Sequence, residues 1–306
     1  MSRSDRWLCG WRVASDLPLP ELLPWRGDDR APDLTIRTGP VPARLDDLQF
    51  DGPLLQVAAD GTCRYEISAV AAFVIRGGRD IVVQARDDAS SSGVNTFLLG
   101  TVLAIVCHQR GVVPVHASCI EIDGQAVAFA GPVGTGKSTM AAVARRAGLR
   151  VVSDDVTVLA PVGSRVDVLP TFPRLRLWRD TRAALCAEDD LFEPGRTGIA
   201  RESLALGTAF RSEPLPLSAV VHLTHVSDVR FCELRELHGV EAMARLHDQV
   251  HTSVYPLRRG QGRSMFATVF GLIPGIDRHF TLAQYPSLTT LDDALEAVRA
   301  RLGHGS

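Results

Sequence analysis

The first third of the chain alternates short apolar runs with turn residues, a pattern that predicts β-strands. The expected strands are Trp7–Val13, Leu34–Arg37, Leu54–Ala58, Cys63–Ile67, Ala71–Ile75 and Asp80–Gln84. Asp60-Gly61 and Gly77-Gly78 separate neighbouring runs and are typical turn pairs. The proline-rich stretch Leu17–Pro24 indicates a connector, because proline fixes the backbone and removes an amide donor. Residues 1–90 are therefore predicted to form a small β-rich region for docking or assembly.

From Val112 the pattern changes to strands that alternate with amphipathic helical segments. Cys119–Ile122 and Ala126–Ala130 flank Asp123-Gly124, a pair that favours a two-residue hairpin turn. Further strands are expected at Leu149–Val152, Thr157–Ala160, Val166–Leu169, Leu217–Thr224 and Val229–Leu234, and helices at Asn95–Arg110, Ser138–Ala147, Val240–His251, Met265–Leu272 and Leu291–Leu302. Asn95 is the expected N-cap of the first helix. Residues 91–306 are thus predicted to form an α/β domain.

Composition excludes several classes of protein. The 306 residues are 45% hydrophobic, with a net charge of −2, which argues against disorder and against a nucleic-acid binder. The longest apolar run, Phe97–Cys107, has about half of the roughly 20 residues that a membrane-spanning helix needs. The N-terminal residues lack the apolar core of a signal peptide. Six singly placed cysteines fit a reducing compartment, so the expectation is a cytoplasmic protein without membrane contact.

One lysine stands out from the basic residues. Of the 33 lysines and arginines only Lys137 is a lysine. Codon bias accounts for the arginines, because most surface positions accept either cation. A compact ammonium differs from a planar guanidinium where a cation must enter a narrow cavity. The position of Lys137 therefore deserves a chemical explanation.

Lys137 belongs to a glycine-rich motif. The residues Gly131, Pro132, Val133, Gly134, Thr135, Gly136, Lys137 and Ser138 match G-x-x-x-x-G-K-[ST], and Thr139 follows. Such a loop directs backbone N–H groups and a helix N-terminus at phosphate oxygens, while Lys137 reaches the β- and γ-phosphates and Ser138 ligates Mg²⁺. The alternative is a glycine-rich turn that matches by chance. The predicted strand before the loop and the predicted helix after it favour the phosphate-binding interpretation.

Two adjacent aspartates follow the next predicted strand, seventeen positions after Lys137. If that strand is parallel to the strand before the loop, Asp154 and Asp155 emerge beside the loop at the carboxyl edge of the sheet. One carboxylate would accept a hydroxyl proton and the other would hold a metal ion or its water. The alternative is an Asx turn after a strand.

His116 is placed by the register of the predicted hairpin. A turn at 123–124 pairs residues whose numbers sum to 247, so His116 would face Gly131 at the entrance of the loop. An imidazole there would contact a terminal phosphate or tune a neighbouring aspartate, although a lone histidine is as often structural. Arg174, Arg176, Arg179 and Arg182 are interpreted as a solvated basic face.

These motifs resemble one known family. His116-Ala117-Ser118, the loop with Thr139, and Ser153-Asp154-Asp155 resemble the catalytic domain of HPr kinase/phosphorylase, over roughly residues 91–306. The resemblance implies a phosphoenolpyruvate-carboxykinase-like fold whose core carries the phosphate-binding loop. Val13–Leu22 is similar to the start of stand-alone HPr-kinase-related proteins, some of which phosphorylate lasso-peptide precursors on serine.

The resemblance implies roles for individual residues. Asp154 would be the general base, Asp155 its acidic neighbour at the metal, and His116 the active-site histidine. Lys137 and Ser138 would contact phosphate and metal. Bifunctional members have Glu where this chain has Thr139, and their later glycine-rich signature has no counterpart here, which argues against phosphorolysis and against HPr as the substrate.

The sequence thus predicts an ATP- and Mg²⁺-dependent kinase that phosphorylates a serine hydroxyl on a peptide or small protein. Two alternatives stay open: a kinase of a small biosynthetic metabolite, and a nucleotide-binding switch without catalysis. The paired aspartates favour an enzyme, because a binding module needs no base beside the γ-phosphate. Related kinases assemble, so a homo-oligomer is compatible with the resemblance.

Overall fold

The computed structural model describes residues 5–188, 190–193, 201–226, 232–251, 269–284 and 288–303. The chain divides into two compact units, one comprising Met1–Pro114 and His251–Thr268, the other Val115–Val250 and Val269–Ser306. The predicted boundary after residue 90 lies earlier than this division. The expected helix over 265–272 and the expected strand over 229–234 each begin outside the described residues, while residues 269–272 are helical.

The first unit contains a nine-stranded sheet in the order β3-β1-β2-β4-β9-β8-β7-β6-β5. Its strands are β1 Arg6–Leu8, β2 Trp11–Ser15, β3 Leu23–Pro24, β4 Leu34–Thr38, β5 Leu48–Asp51, β6 Leu55–Ala58, β7 Cys63–Ile67, β8 Ala71–Arg76 and β9 Asp80–Ala85. The predicted strand Trp7–Val13 is a hairpin instead, because Cys9 and Gly10 have φ angles of 56° and 78°. Those angles are typical of a two-residue turn between antiparallel strands.

A continuous helical segment closes the first unit. It consists of α1 Ser91–Phe97, a π-helical turn Leu98–Val102, and α2 Leu103–Gln109. Ser90 is its N-cap through Gly93 N–H, so the expected cap at Asn95 is wrong. Leu98, Leu99, Leu103 and Val106 line a small apolar cavity together with first-unit strand residues. This packing explains why the segment belongs to the first unit.

The same segment, Ser91–Gln109, is long and apolar enough by length and composition to cross a membrane. The sequence predicts a helix over Asn95–Arg110 but no membrane span, because the longest uninterrupted apolar run, Phe97–Cys107, is too short. However, 61% of the most apolar 18-residue stretch of this segment is buried inside the protein. The core helix of a folded domain has this character, since its apolar side chains contact protein.

The second unit is a mixed α/β fold. Its strands are β11 Ala117–Ile122, β12 Gln125–Ala130, β13 Val151–Ser153, β14 Thr157–Val162, β15 Arg165–Leu169, β16 Arg174–Trp178, β17 Phe192–Glu193, β18 Arg201–Ala205, β19 Leu215–His225, β20 Cys232–Leu237 and β21 Arg278–Gln284. Its helices are α3 Lys137–Arg146, α4 Arg179–Leu185, α5 Gly239–His247 and α6 Leu288–Gly303, with 3₁₀ turns at Gly207–Ala209 and Ile273–Gly275. A further strand, β10 Val113–Val115, spans the division between the units.

The strand order explains how the site forms. The main sheet runs β14-β15-β19-β12-β11-β13, with β21 beside β19 and β20 beside β21, and β16-β18-β17 form a separate three-stranded sheet. Because β11 is antiparallel to both β12 and β13, the latter two point in the same direction with β11 between them. The loop after β12 and the aspartates after β13 therefore emerge at the same edge of the sheet.

Candidate active site

The glycine-rich loop connects β12 to α3. Gly131 has a φ of 150°, and a Cβ atom there would lie 2.8 Å from the Leu223 carbonyl oxygen and 3.0 Å from Thr135 Oγ1. Gly134 and Gly136 have φ angles of 89° and 92°. L-residues rarely adopt such angles, so the tight curl of this loop depends on its glycines.

The lysine ammonium lies against the inside of this loop. Lys137 is 7% exposed, and its Nζ donates to the carbonyl oxygens of Gly131 at 2.6 Å and Pro132 at 2.8 Å. Thr135 Oγ1 donates to the same Pro132 oxygen at 2.9 Å. The ammonium is therefore held at the N-terminus of α3. The positive end of the helix dipole lies there too, so both would attract an anion such as phosphate.

Asp154 follows β13 and is buried, with an exposed fraction of 3%. Its Oδ1 accepts hydrogen bonds from Ser118 Oγ at 2.6 Å and Ser138 Oγ at 2.8 Å, and its Oδ2 accepts one from Arg176 N–H at 2.8 Å. Burial raises the pKa of Asp154, and the three donors act in the opposite direction. Asp154 thus joins β11, β13, β16 and the start of α3.

The Asp155 side chain has different partners from Asp154, and its backbone is left-handed with a φ of 70°, within a bend after β13. Its side chain is 30% exposed, and Oδ2 lies 3.0 Å from Arg176 Nη1. A left-handed backbone at a residue other than glycine is a form of local strain that concentrates at functional sites. The turn presents the second carboxylate to solvent while the first stays buried.

His116 lies beside Asp155 rather than opposite Gly131. The hairpin has the predicted register, but its ladder ends at Ala117–Ala130, and His116 N–H donates instead to the Gln249 carbonyl oxygen at 2.7 Å. Its Nδ1 donates to the Asp155 carbonyl oxygen at 3.0 Å and lies 3.5 Å from Asp155 Oδ1. Burial and the nearby Lys137 ammonium lower the pKa of His116, which favours the neutral ring.

The predicted residues converge on one cavity with about 500 Å³ of empty space, part of it open to solvent. Its lining includes His116, Val133, Gly134, Gly136, Lys137, Ser138, Thr139, Asp154 and Asp155. Gly131, Pro132 and Thr135 belong to the same loop but do not line the cavity. The cavity therefore combines a cation, hydroxyl groups and two carboxylates in different surroundings.

Four contributors to this site are not predicted from the sequence. Three of them, Arg176, Leu177 and Trp178 of β16, also line the cavity, although Arg176 is predicted to lie on a solvated face. The run Arg174–Trp178 alternates charged and apolar residues, and this period of two is the signal of a half-buried strand. The fourth is Ser118, which belongs to the motif His116-Ala117-Ser118 and donates a hydrogen bond to Asp154.

The hard oxygen atoms of the site suit a magnesium ion. Among the described residues no group of three or more His, Cys, Asp or Glu side chains is placed to hold a metal. Mg²⁺ does not require such a group, because it is typically held by one or two carboxylates together with substrate phosphates and water. The Ser138 hydroxyl and the Asp154 carboxylate, 2.8 Å apart, fit that donor set.

Of the three comparisons with known proteins, only the one with solved structures gives matches. No model of a protein family matches the sequence, and no curated protein matches it. Among solved structures, the Hpr(Ser) kinase/phosphatase from Coxiella burnetii is 14% identical with a TM-score of 0.32, and the similarity covers 62% of this chain and 92% of that one. A TM-score of this size establishes no common fold, so the residues of the site itself carry the function proposed below.

Proposed function

We propose that this protein is a Mg²⁺-dependent kinase that transfers the γ-phosphoryl group of ATP to a serine hydroxyl of a peptide or small protein. The observation that carries the proposal is the convergence of Lys137, Ser138, Asp154 and Asp155 on one cavity at the N-terminus of α3. The choice of a peptide serine as acceptor comes from the resemblance of Val13–Leu22 and the motifs of the second unit. Phosphoryl transfer needs positioning and charge neutralisation, which these groups supply.

The loop supports nucleotide binding. Gly131–Gly136 with its positive φ angles brings backbone amides close to a ligand, and the α3 N-terminus favours negative charge. Lys137 extends along this loop and would exchange its two carbonyl contacts for the β- and γ-phosphate oxygens. The exchange keeps the ammonium partnered in both states, so a buried charge is never left alone.

Ser138 and Asp154 would hold the metal ion. Their mutual hydrogen bond places a hydroxyl and a carboxylate together at the loop, and the burial of Asp154 keeps that carboxylate away from an incoming acceptor. When bound, the ion would neutralise charge on the phosphates. The resemblance implies that Asp155 lies at the metal and Asp154 is the base, whereas the contacts of Asp154 support the opposite assignment.

Asp155 is then the better candidate for the general base. A base must reach the proton it accepts, and the Asp155 side chain is 30% exposed at the cavity, whereas Asp154 is 3% exposed and accepts three protein hydrogen bonds. The Arg176 guanidinium and the His116 ring would orient the Asp155 carboxylate. The acceptor hydroxyl passes its proton to Asp155, its oxygen bonds to the γ-phosphorus, and the bond to the leaving ADP oxygen breaks.

Two substitutions distinguish this assignment from its reverse. Asp155→Asn is expected to reduce transfer from [γ-³²P]ATP by about 10²–10⁴-fold, the usual contribution of a general base, while Mg²⁺–ATP binding stays within a few-fold of wild type. Asp154→Asn is expected to reduce transfer and, in addition, to weaken the Mg²⁺ dependence of ATP binding. Full transfer by Asp155→Asn would overturn its role as base.

The acceptor is identified by the same assay. Incubation with serine-containing peptides and with small hydroxylated metabolites separates a peptide kinase from a metabolite kinase. Mg²⁺–ATP binding without transfer to any acceptor would favour the nucleotide-binding switch. Absence of ATP binding would contradict every form of the proposal.

A further inference from the structure

Ser118 makes the shortest contact that Asp154 receives. It lies on β11 with no exposed surface, and its Oγ donates to Asp154 Oδ1 at 2.6 Å. The same β11 residue pairs with Phe129 of β12, the strand that leads into the glycine-rich loop. A buried hydroxyl thus connects the acidic turn after β13 to the strand that carries the loop.

The three donors to Asp154 differ in how firmly they are placed. The Arg176 N–H belongs to the backbone of β16, and Ser118 is enclosed in the sheet. Ser138 lies at the cavity, and its hydroxyl is the group that a metal ion would attract. Once Ser138 turns away, Ser118 is the remaining side-chain donor to Oδ1 among the contacts that the structure shows.

We propose that Ser118 is a positioning residue whose hydroxyl holds the Asp154 carboxylate in the orientation required for Mg²⁺-dependent nucleotide binding. This inference rests on the proposed nucleotide- and metal-binding function. Residues that orient a metal-binding group typically contribute 10–100-fold to metal affinity. A buried serine with a purely structural role would affect folding stability instead and leave the Mg²⁺ requirement unchanged.

The test measures ATP binding by isothermal titration over a series of Mg²⁺ concentrations, together with the melting temperature. Ser118→Ala is expected to raise the half-saturating Mg²⁺ concentration about tenfold or more, while ATP affinity in the presence of EDTA stays within twofold of wild type. Ser118→Cys, similar in size and a weaker donor, should give a smaller shift in the same direction. It also replaces Ser118→Ala if that variant does not fold.

Ser218→Ala is the matched control. Ser218 is 4% exposed, lies in the same sheet, and donates to the Ala126 carbonyl oxygen at 3.1 Å, away from the aspartates. A wild-type Mg²⁺ requirement in Ser118→Ala, or an equal shift in Ser218→Ala, would overturn the inference. The readout is independent of an acceptor, so a wild-type protein that transfers no phosphate would defeat the kinase proposal without deciding about Ser118. Wild-type ATP binding that ignores Mg²⁺ would overturn both.

Discussion

The two units bury polar side chains for different purposes. In the first unit Asn95 is 4% exposed and donates to the Pro18 carbonyl oxygen and the Glu21 carboxylate. Gln56 likewise accepts from Leu45 N–H and donates to Asp51. In the second unit Ser118, Asp154 and Lys137 are equally buried, but their hydrogen bonds lead to the wall of a cavity.

The place where a buried polar network ends indicates whether it supports the fold or a functional site. The first-unit side chains satisfy backbone groups of connecting segments, which would otherwise be left without partners. The second-unit side chains fix a carboxylate and an ammonium at the wall of a cavity that a ligand can enter. A network that ends at a cavity preorganises a site, and substitutions should separate these two roles.

Among substitutions that separate these two kinds of network, Lys137→Arg should have the largest effect. The planar guanidinium does not fit a position where an ammonium lies within 2.6 and 2.8 Å of two loop carbonyl oxygens, so transfer should fall about 10²–10³-fold. Arg146→Lys, on the exposed side of the same helix, is the control and should keep full activity. Unchanged transfer by Lys137→Arg would show that position 137 does not require a compact ammonium.

Gly131→Ala should disturb the loop next most strongly. Its Cβ would lie 2.8 Å from the Leu223 oxygen at a φ of 150°, a combination that costs roughly 1–3 kcal/mol. We expect a tenfold or greater loss of ATP affinity by calorimetry. Gly134 also has a positive φ, but a Cβ atom there would meet no atom within 4 Å. A smaller loss of ATP affinity in Gly134→Ala would therefore separate the cost of the steric clash from the cost of the backbone conformation.

Acid should destabilise the second unit more than the first. Burial lowers the pKa of His222 to about 3 and of His279 to about 4 in the second unit, and of His108 to about 4 in the first. In the folded state these histidines therefore stay neutral, whereas in the unfolded state they bind protons below about pH 6.5. Stability is consequently lost as the pH falls from about 6.5 toward 4.

Asp154 acts in the opposite direction in the second unit. Because its pKa is raised in the folded state, its protonation adds stability as the pH falls. At pH 5.5 each histidine should cost roughly 1 kcal/mol, seen by mass spectrometry as lower amide protection factors, which take the slower intrinsic exchange in acid into account. His279→Phe should flatten the pH dependence of the second unit. Equal protection at pH 7 and pH 5.5 would contradict the burial argument.

Asn95→Ala should have the smallest effect and leave the site intact. Loss of its hydrogen bonds to Pro18 and Glu21 should lower stability by about 1 kcal/mol, measured by urea unfolding. ATP binding should remain at the wild-type level, because these contacts lie within the first unit. Thr96→Ala is the control, because Thr96 is a half-buried neighbour whose hydroxyl donates to the Ser92 carbonyl oxygen of the same helix. Altered ATP affinity in Asn95→Ala would break the separation between the units.

Local signals in the sequence predicted much of the fold. The strand Cys63–Ile67 has the predicted bounds, and the Asp123-Gly124 hairpin has the predicted register. Both depend on alternation and turn chemistry within a few residues. The hairpin Arg6–Ser15 was missed because its turn contains Cys9, which rarely adopts a positive φ.

Contacts between distant segments explain the rest. The motif residues indicated the loop and the acidic pair, yet their sequence positions do not reveal that Asp154 faces Ser118 and Ser138 while Asp155 faces His116 and Arg176. That division depends on the left-handed backbone of Asp155 and on the position of β16 beside the turn. Neither is encoded in a local pattern.

Calorimetric titration of the wild-type protein and of Lys137→Ala with ATP and Mg²⁺ tests the central claim that the second-unit cavity binds nucleotide phosphates. We predict one site per chain that strengthens with Mg²⁺ in wild type and is lost in the variant, with both proteins melting at similar temperatures. Undetectable binding to folded wild-type protein, or equal binding by Lys137→Ala, would contradict the account.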